Sequence, residues 1–286
     1  MTSVDVNTKL TGLLGNPLGH SFSPVMHNRA FELLGLNFFY MPIEVTPENL
    51  KDVACGISKM NFAGYNVTIP HKIRIMEHLD GIDELARSIG AVNTVTIKDG
   101  VTTGHNTDGE GFIRSLETET GTSVKGKTLL VLGTGGAARA VAMALAFKGA
   151  ERIIICNRTE QKARDLSRDI NEKVRPCSEV IPMAPWEIKN AARQADVVIN
   201  TTSVGMHPEE DRMPLDGEAI PEGIVVCDII YNPDKTKLLR VAESKGCKIV
   251  SGLGMLVYQG AEAFRLWTGT EPPVDEMFAV VRASRG

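Results

Sequence analysis

The chain has 286 residues, room for about two domains with ample core. Hydrophobic residues make up 43% and charged residues 23%, and the net charge of −4 leaves no basic stripe for nucleic-acid phosphates. Apolar runs such as Leu129–Leu132 and Ile153–Cys156 are too short to span a bilayer, no signal segment opens the chain, and the five cysteines (Cys55, Cys156, Cys177, Cys227, Cys247) and six histidines show no metal or redox spacing. The expectation is a cytoplasmic protein with reduced thiols and no metal.

Strand-like and helix-like runs alternate from the start, the pattern of an α/β fold. Lys9–Leu14 is a short strand ending in Gly15-Asn16-Pro17. Pro24–Leu34 reads as a helix with Ser23 as N-cap and Gly35 as its stop. Phe38–Val45 is a strand, and Pro47–Met60 a helix capped by Thr46. The strand Gly64–Ile69 should end at Pro70, which cannot donate to a ladder. Helices follow near Ile73–Leu79 and over Ile82–Ile89. Val92–Lys98 and Val101–Asn106 form a hairpin about Asp99-Gly100. After a helix over Asp108–Thr118 and a polar loop, a βαβ unit begins: strand Thr128–Leu132, glycine loop, helix Ala137–Lys148, strand Arg152–Cys156. A helix Glu160–Lys173, strands Val197–Asn200 and Val225–Ile229, a helix Thr236–Lys245, a strand Lys248–Ser251 and a helix Met255–Trp267 complete the reading.

Gly133-Thr134-Gly135-Gly136-Ala137-Ala138 fits G-x-G-x-x-A between a strand and a helix. Its glycines let the backbone turn tightly and approach a pyrophosphate, with N–H groups and the helix dipole facing the charge. A tight βα turn without a ligand is the alternative. An NAD enzyme usually carries Asp or Glu at the end of the second strand, to hold the ribose diol. This chain has Asn157-Arg158-Thr159, with Lys162 a turn later, which suits a 2′-phosphate and predicts NADP. An arginine at a helix start is disfavoured by the dipole unless an anion sits there.

Asn66-Val67-Thr68-Ile69-Pro70-His71-Lys72 gathers polar side chains and an amine at a strand end, where open α/β sheets place their ligands. A polar strand terminus with a solvated lysine is the plain alternative. Ser21-Phe22-Ser23-Pro24 puts two hydroxyls at a helix start, and Ser21 is not needed as a cap. Gly90-Ala91-Val92-Asn93-Thr94 brings an amide to a strand, and Asn106-Thr107-Asp108-Gly109 a carboxylate to a helix start. Gly252-Leu253-Gly254-Met255 precedes a helix carrying Gln259. The set suits a small polyhydroxylated acid, with Lys72 and Asp108 handling the proton.

These motifs, in this order and over nearly the whole chain, resemble the shikimate dehydrogenase family. The resemblance implies NADPH-dependent, reversible reduction of 3-dehydroshikimate to shikimate, on the route to chorismate and aromatic amino acids. It implies an α/β fold with an N-terminal mixed-sheet substrate domain (1–107), a Rossmann-like NADP domain (108–250) and C-terminal helices (251–286) that return to the first domain, with closure of the two domains. By resemblance, Ser21 and Ser23 bind the substrate carboxylate. Asn66, Thr68, Asn93 and Gln259 bind its hydroxyls, Tyr231 lies on the substrate side, and Lys72 and Asp108 meet the reacting oxygen. Gly133, Thr134, Gly135, Gly136 and Ala137 hold the pyrophosphate. Asn157, Arg158, Thr159 and Lys162 hold the adenosine phosphate. Thr201 and Ser203, in the run Asn200–Met206, line the cofactor side. Ile229, Gly252 and Met255 lie toward the nicotinamide, with Glu84 as a further cofactor contact. Lys162 stands where arginine is frequent, and Phe22 where leucine is common. A quinate/shikimate dehydrogenase with dual NAD/NADP use, a non-catalytic shikimate-binding regulator and a folate-linked dehydrogenase are the rival readings. A homodimer is left open.

Overall fold

The structure is a computed structural model, described for residues 4–19 and 21–284. The chain divides into two compact units: residues 1–107 with 257–286, and residues 108–256.

The first unit is built on a mixed six-stranded sheet. In chain order its elements are β1 (Lys9–Gly15), α1 (Ser23–Leu33), β2 (Phe38–Glu44), α2 (Leu50–Ser58), β3 (Gly64–Val67), a 3-10 segment (Arg74–His78), β4 (Gly81–Ile82), α3 (Glu84–Ile89), β5 (Thr94–Lys98) and β6 (Val101–His105). The strands lie in the order β2-β1-β3-β5-β6-β4. β1 pairs in parallel with β2 and β3, whereas β5 runs antiparallel to β3 and β6. The β5–β6 hairpin turns on Asp99 (φ 53°) and Gly100 (φ 78°), the left-handed pair that a two-residue turn matched to strand twist requires. Leu14, Leu50, Phe62, Tyr65, Ile75 and Val95 pack one core of this unit.

The second unit contains α4 (Asp108–Thr120), β7 (Thr128–Leu132), α5 (Gly136–Phe147), β8 (Arg152–Cys156), α6 (Glu160–Lys173), β9 (Ser178–Ile181), α7 (Pro185–Gln194), β10 (Val197–Asn200), β11 (Val225–Asp228), α8 (Lys237–Ser244) and β12 (Lys248–Val250). All six strands are parallel, in the order β12-β11-β10-β7-β8-β9. Counted from β7, this is the doubly wound order 3-2-1-4-5-6 of dinucleotide-binding sheets. Strands covered on both faces read as unbroken apolar runs, and β7, β8, β10 and β11 are buried almost throughout. α9 (Gly252–Thr268) starts in this unit and ends in the first, and α10 (Val274–Ala283) lies in the first. The C-terminal helices are therefore part of the first unit's core, where Trp267 donates its indole N–H to the Val95 carbonyl at 2.9 Å.

Several local expectations are corrected. Ser23 is the first residue of α1 rather than its cap; Phe22 holds the cap position without a side-chain bond. α2 begins at Leu50, because 46–49 close a turn first, with the Asn49 N–H on the Thr46 carbonyl. β3 stops at Val67, and the segment after Pro70 is a single 3-10 stretch. Asp83, accepting the Ala86 N–H at 2.6 Å, starts α3 after the short strand β4. β9, α7 and α10 had no sequence assignment. The second crossing between units falls inside α9, after Leu256, rather than at residue 251.

Candidate active site

The first unit assembles a buried chain of polar side chains from four separate segments. The Tyr40 hydroxyl donates to Asn66 Oδ1 at 2.9 Å. Asn66 Nδ2 donates to Thr94 Oγ1 at 3.0 Å and to the Asn93 carbonyl at 3.2 Å. Thr94 Oγ1 donates to Asn93 Oδ1 at 3.0 Å, and Asn93 Nδ2 to Thr107 Oγ1 at 3.0 Å. Asn93 Oδ1 also accepts the Thr107 N–H at 2.8 Å. Ser23, Tyr40, Asn66, Asn93, Thr94 and Thr107 are all buried. Buried polar groups must be bonded, and a connected set fixes every rotamer in it.

The structure thus brings together Asn66 and Asn93, two of the residues named from the sequence. It adds Tyr40, Thr94 and Thr107, which sequence reasoning missed as site residues. Ser21 Oγ accepts the Ser23 N–H at 3.3 Å, which leaves its hydroxyl proton for another acceptor. Thr68 follows β3 and is held by its N–H on the Leu14 carbonyl, at 2.8 Å. Lys72 is half-buried, and its carbonyl takes the Val92 N–H at 2.8 Å, next to Asn93. His71, between them, is buried and ties the segment to the end of β2 through Nε2 and the Val45 carbonyl, 2.6 Å apart. Gln259 lies on α9 next to Gly260, whose missing Cβ lets that helix approach Met26 and His27 of α1. Glu84 is the exposed first residue of α3.

The second unit carries the glycine loop at the switch point of its sheet. Gly133 follows β7 with φ +113°, and a Cβ there would lie 2.6 Å from Thr201 Oγ1. Thr201, after the neighbouring strand β10, donates its hydroxyl to the Leu132 carbonyl at 2.7 Å. The two strand ends are thereby joined where strand order reverses, the place where such sheets bind ligands. Gly135 and Gly136 are exposed, and a Cβ on either would meet nothing within 4 Å. Gly135 caps α5 with no side-chain bond, so the helix presents N–H groups into open space. Thr134 and Ala137 flank them, half-buried. An uncapped helix start with room in front of it fits a pyrophosphate.

Arg158, Thr159 and Lys162 are exposed around the start of α6, and Asn157 Nδ2 donates to the Thr159 carbonyl at 2.9 Å. Among the described residues, Arg158 and Lys162 have no side-chain hydrogen bond or ion pair. Arg164 and Arg168 of the same helix are tied to Glu160 and Asp165. Two cations without a side-chain partner thus stand at a helix start, where the dipole disfavours them unless an anion is present.

Asp228 organises the other side of the unit. It is buried at the end of β11 and accepts Asn200 Nδ2 at 3.1 Å, the Ile230 N–H at 3.1 Å and the Thr236 hydroxyl at 2.8 Å. Burial pushes its carboxyl up to about 6. Asn200 in turn accepts the Thr202 N–H and hydroxyl, which shapes the loop carrying Thr201 and the exposed Ser203. The Ile229 N–H reaches the Asn200 carbonyl at 3.1 Å. A Cβ on Gly252 would fall 2.1 Å from the Ile229 carbonyl, so only glycine permits that approach. Met255 is half-buried one turn on, Tyr231 is exposed beyond β11, and Asp108, half-buried, begins α4.

Comparison with known proteins follows the same division. The shikimate dehydrogenase substrate-binding domain matches residues 13–95, the shikimate/quinate 5-dehydrogenase family residues 115–213, and the shikimate 5′-dehydrogenase C-terminal domain residues 252–282. The shikimate dehydrogenase (NADP(+)) of Methanothermobacter thermautotrophicus is 50% identical over 272 residues, 94% of each chain. A crystal structure of a shikimate dehydrogenase in complex with NADP+ superposes with a TM-score of 0.90 at 44% identity, covering 99% of this chain and 98% of that one. That of the Listeria monocytogenes shikimate 5-dehydrogenase with shikimate and NAD gives 0.93 at 38% identity, covering 97% and 98%. The chain belongs to the shikimate dehydrogenase family.

Proposed function

We propose that the protein reduces 3-dehydroshikimate to shikimate, reversibly, with NADPH, in the cytoplasmic pathway to chorismate and aromatic amino acids. The observation that carries this reading is the buried polar chain from Tyr40 to Thr107. Its members are neutral hydroxyls and amides, the groups that read the hydroxyls of a small polyhydroxylated ring. Family membership and the match to curated relatives over 94% of the chain support it.

The first unit supplies the substrate contacts. Ser21 and Ser23 hold the carboxylate, Asn66, Thr68, Asn93 and Gln259 hold the hydroxyls, and Tyr231 is a further substrate contact. Gly133–Ala137 cradle the pyrophosphate, and Arg158 with Asn157, Thr159 and Lys162 holds the 2′-phosphate. Ile229, Gly252 and Met255 place the nicotinamide, Thr201 and Ser203 line its loop, and Glu84 is an outlying contact.

Bound NADPH supplies the hydride that reduces the ketone carbon. As that carbon is reduced its oxygen gains negative charge, and Lys72, as ammonium, stabilises that charge and delivers the proton. In the reverse direction the neutral amine takes the proton from the shikimate hydroxyl. Asp108 accepts from the ammonium of Lys72 and so orients it.

Initial rates with shikimate and with quinate, each with NADP and with NAD, test the proposal. Shikimate with NADP is expected to give the highest kcat/KM. Comparable turnover of quinate with NAD would transfer the chain to the dual-cofactor reading. No change in nicotinamide absorbance with any pair would make it a binding protein. The cofactor arm matters because two structural relatives were crystallised with NAD, while curated relatives at 44–50% identity carry NADP(+) in their names.

A further inference from the structure

Thr94 begins β5, is fully buried and bonds to both Asn66 and Asn93, two amides assigned to substrate hydroxyls. Two main-chain groups fix which end of each amide points where. The Asn93 carbonyl can only accept, so the end of Asn66 that meets it at 3.2 Å is Nδ2. The Thr107 N–H can only donate, so the end of Asn93 that meets it at 2.8 Å is Oδ1. Thr94 Oγ1 stands between, 3.0 Å from each amide: it accepts from Asn66 Nδ2 and spends its one proton on Asn93 Oδ1. Tyr40 faces the oxygen end of Asn66 and so donates its phenol proton to it. Turning Asn66 over would set its oxygen against the Asn93 carbonyl and draw the Thr94 proton away from Asn93.

The two amides are left with opposite things to offer. Both Nδ2 protons of Asn66 are spent inside the protein and Tyr40 fills one lone pair of its oxygen, so Asn66 meets a ligand only as an acceptor. Asn93 Oδ1 already takes two donors, the Thr94 hydroxyl and the Thr107 N–H, so Asn93 meets a ligand through Nδ2, as a donor. We propose that Thr94 is a positioning residue that locks Asn66 as an acceptor and Asn93 as a donor, so that the site reads a substrate hydroxyl by its proton at one amide and by its oxygen at the other. A hydroxyl satisfies either amide. An oxygen without a proton fails at Asn66, and an ammonium, which has no lone pair, fails at Asn93. Thr94 exposes no surface, so it acts on the substrate only through the two amides, and water cannot take its place. A residue without the hydroxyl there leaves a buried N–H and a buried carbonyl oxygen each short of a partner, which is costly and loosens both amides.

The inference rests on the proposed substrate contacts, and the test separates the two. Three shikimate analogues, each with one ring hydroxyl replaced by an ammonium group, are assayed as competitive inhibitors of the wild-type enzyme, Asn66→Ala and Asn93→Ala, beside the KM of shikimate. Either substitution should raise the shikimate KM about tenfold, the worth of one hydrogen bond. Asn66→Ala should weaken all three analogues about tenfold or more, since each still carries the proton that Asn66 accepts. Asn93→Ala should weaken two and spare the third, whose ammonium faced the Asn93 N–H. Inhibition constants and KM do not depend on how much of a preparation is folded. Thr94→Val keeps the shape without the hydroxyl. It should raise the shikimate KM about tenfold and leave the NADP KM within about twofold, and Thr94→Ser should recover most of that loss. An analogue spared by Asn66→Ala, three analogues all weakened by Asn93→Ala, or a Thr94→Val enzyme with the wild-type shikimate KM overturns the proposal and leaves the substrate reading intact. If Asn66→Ala and Asn93→Ala both leave the shikimate KM unchanged, the two readings fail together.

Discussion

In the second unit the groups proposed to face a ligand are peptide N–H groups. Gly135 and Gly136 stand exposed at an uncapped helix start, and their missing side chains leave the space open. In the first unit they are side-chain hydroxyls and amides, each oriented by the next through Tyr40, Asn66, Thr94 and Asn93. A backbone site requires only that nothing stand in its way. A side-chain site requires that every neighbour be correct, and its function can concentrate in a single atom.

The largest expected effect follows from that concentration. Lys72→Ala should lower kcat by about 10²–10⁴, the range for loss of a general acid, while shifting the shikimate KM far less. Near wild-type turnover would remove Lys72 as proton donor. No single substitution in the glycine loop should reach this size, because several N–H groups share the work there.

Within that loop, two glycines separate folding from binding. Gly133→Ala introduces a Cβ 2.6 Å from Thr201 Oγ1 at φ +113°, so it should lower Tm by several degrees and weaken NADP together. At Gly135 a Cβ meets nothing within 4 Å. Gly135→Ala should leave Tm within about a degree of wild type and raise the NADP KM about tenfold by filling the phosphate space. A Gly135→Ala protein with unchanged NADP KM would make the loop a plain turn. A smaller and more selective effect belongs to Arg158→Ala, which should raise the KM of NADP about tenfold and spare NAD. Equal effects on both cofactors would show that it does not read the 2′-phosphate.

The same contrast explains what could be read from the sequence. The loop residues are contiguous, so Gly133–Ala137 is legible as a string, and the apolar runs of β7, β8, β10 and β11 mark a sheet buried on both faces. The side-chain site is scattered over four segments. Tyr40 lies in Phe-Phe-Tyr-Met-Pro-Ile-Glu, an apolar strand in which nothing local marks a hydroxyl as bonded. The motif Ser-Phe-Ser-Pro reads locally as a helix cap, but Phe22 holds the cap position and Ser23 is the buried first residue of α1. β9 was missed because it is short and half-exposed, α7 because its buried stripe is only Ile188, Ala191 and Ala192, and α10 because only Met277 and Val281 bury.

The smallest expected effect tests whether the two units also differ in their response to pH. The first unit buries His27 in a ring stack with Tyr40, Phe31, Phe264 and Trp267, with neither ring nitrogen bonded. Burial lowers its pKa from 6.5 to about 3. Between those values the unfolded chain takes a proton that the folded unit refuses, so this group withdraws stability as pH falls. Asp228 has the opposite sign. Its pKa is raised from 3.8 to about 6, so the folded unit keeps a proton that the unfolded chain has released, and its contribution is lost as pH rises through that window. The tryptophans report the halves separately, Trp267 in the first unit and Trp186 in the second. Chemical unfolding is followed between about pH 4 and 6.5 in Trp186→Phe and Trp267→Phe backgrounds. His27→Phe keeps a flat ring in the stack and should flatten the loss of first-unit stability toward acid by about 1 kcal/mol. Asp228→Asn can still accept from Asn200 and Ile230 through its oxygen and donate to Thr236 through its amide. It should flatten the opposite slope in the second unit. If either substitution changes both reporters equally, the units unfold as one and the contrast in pH response belongs to the whole chain.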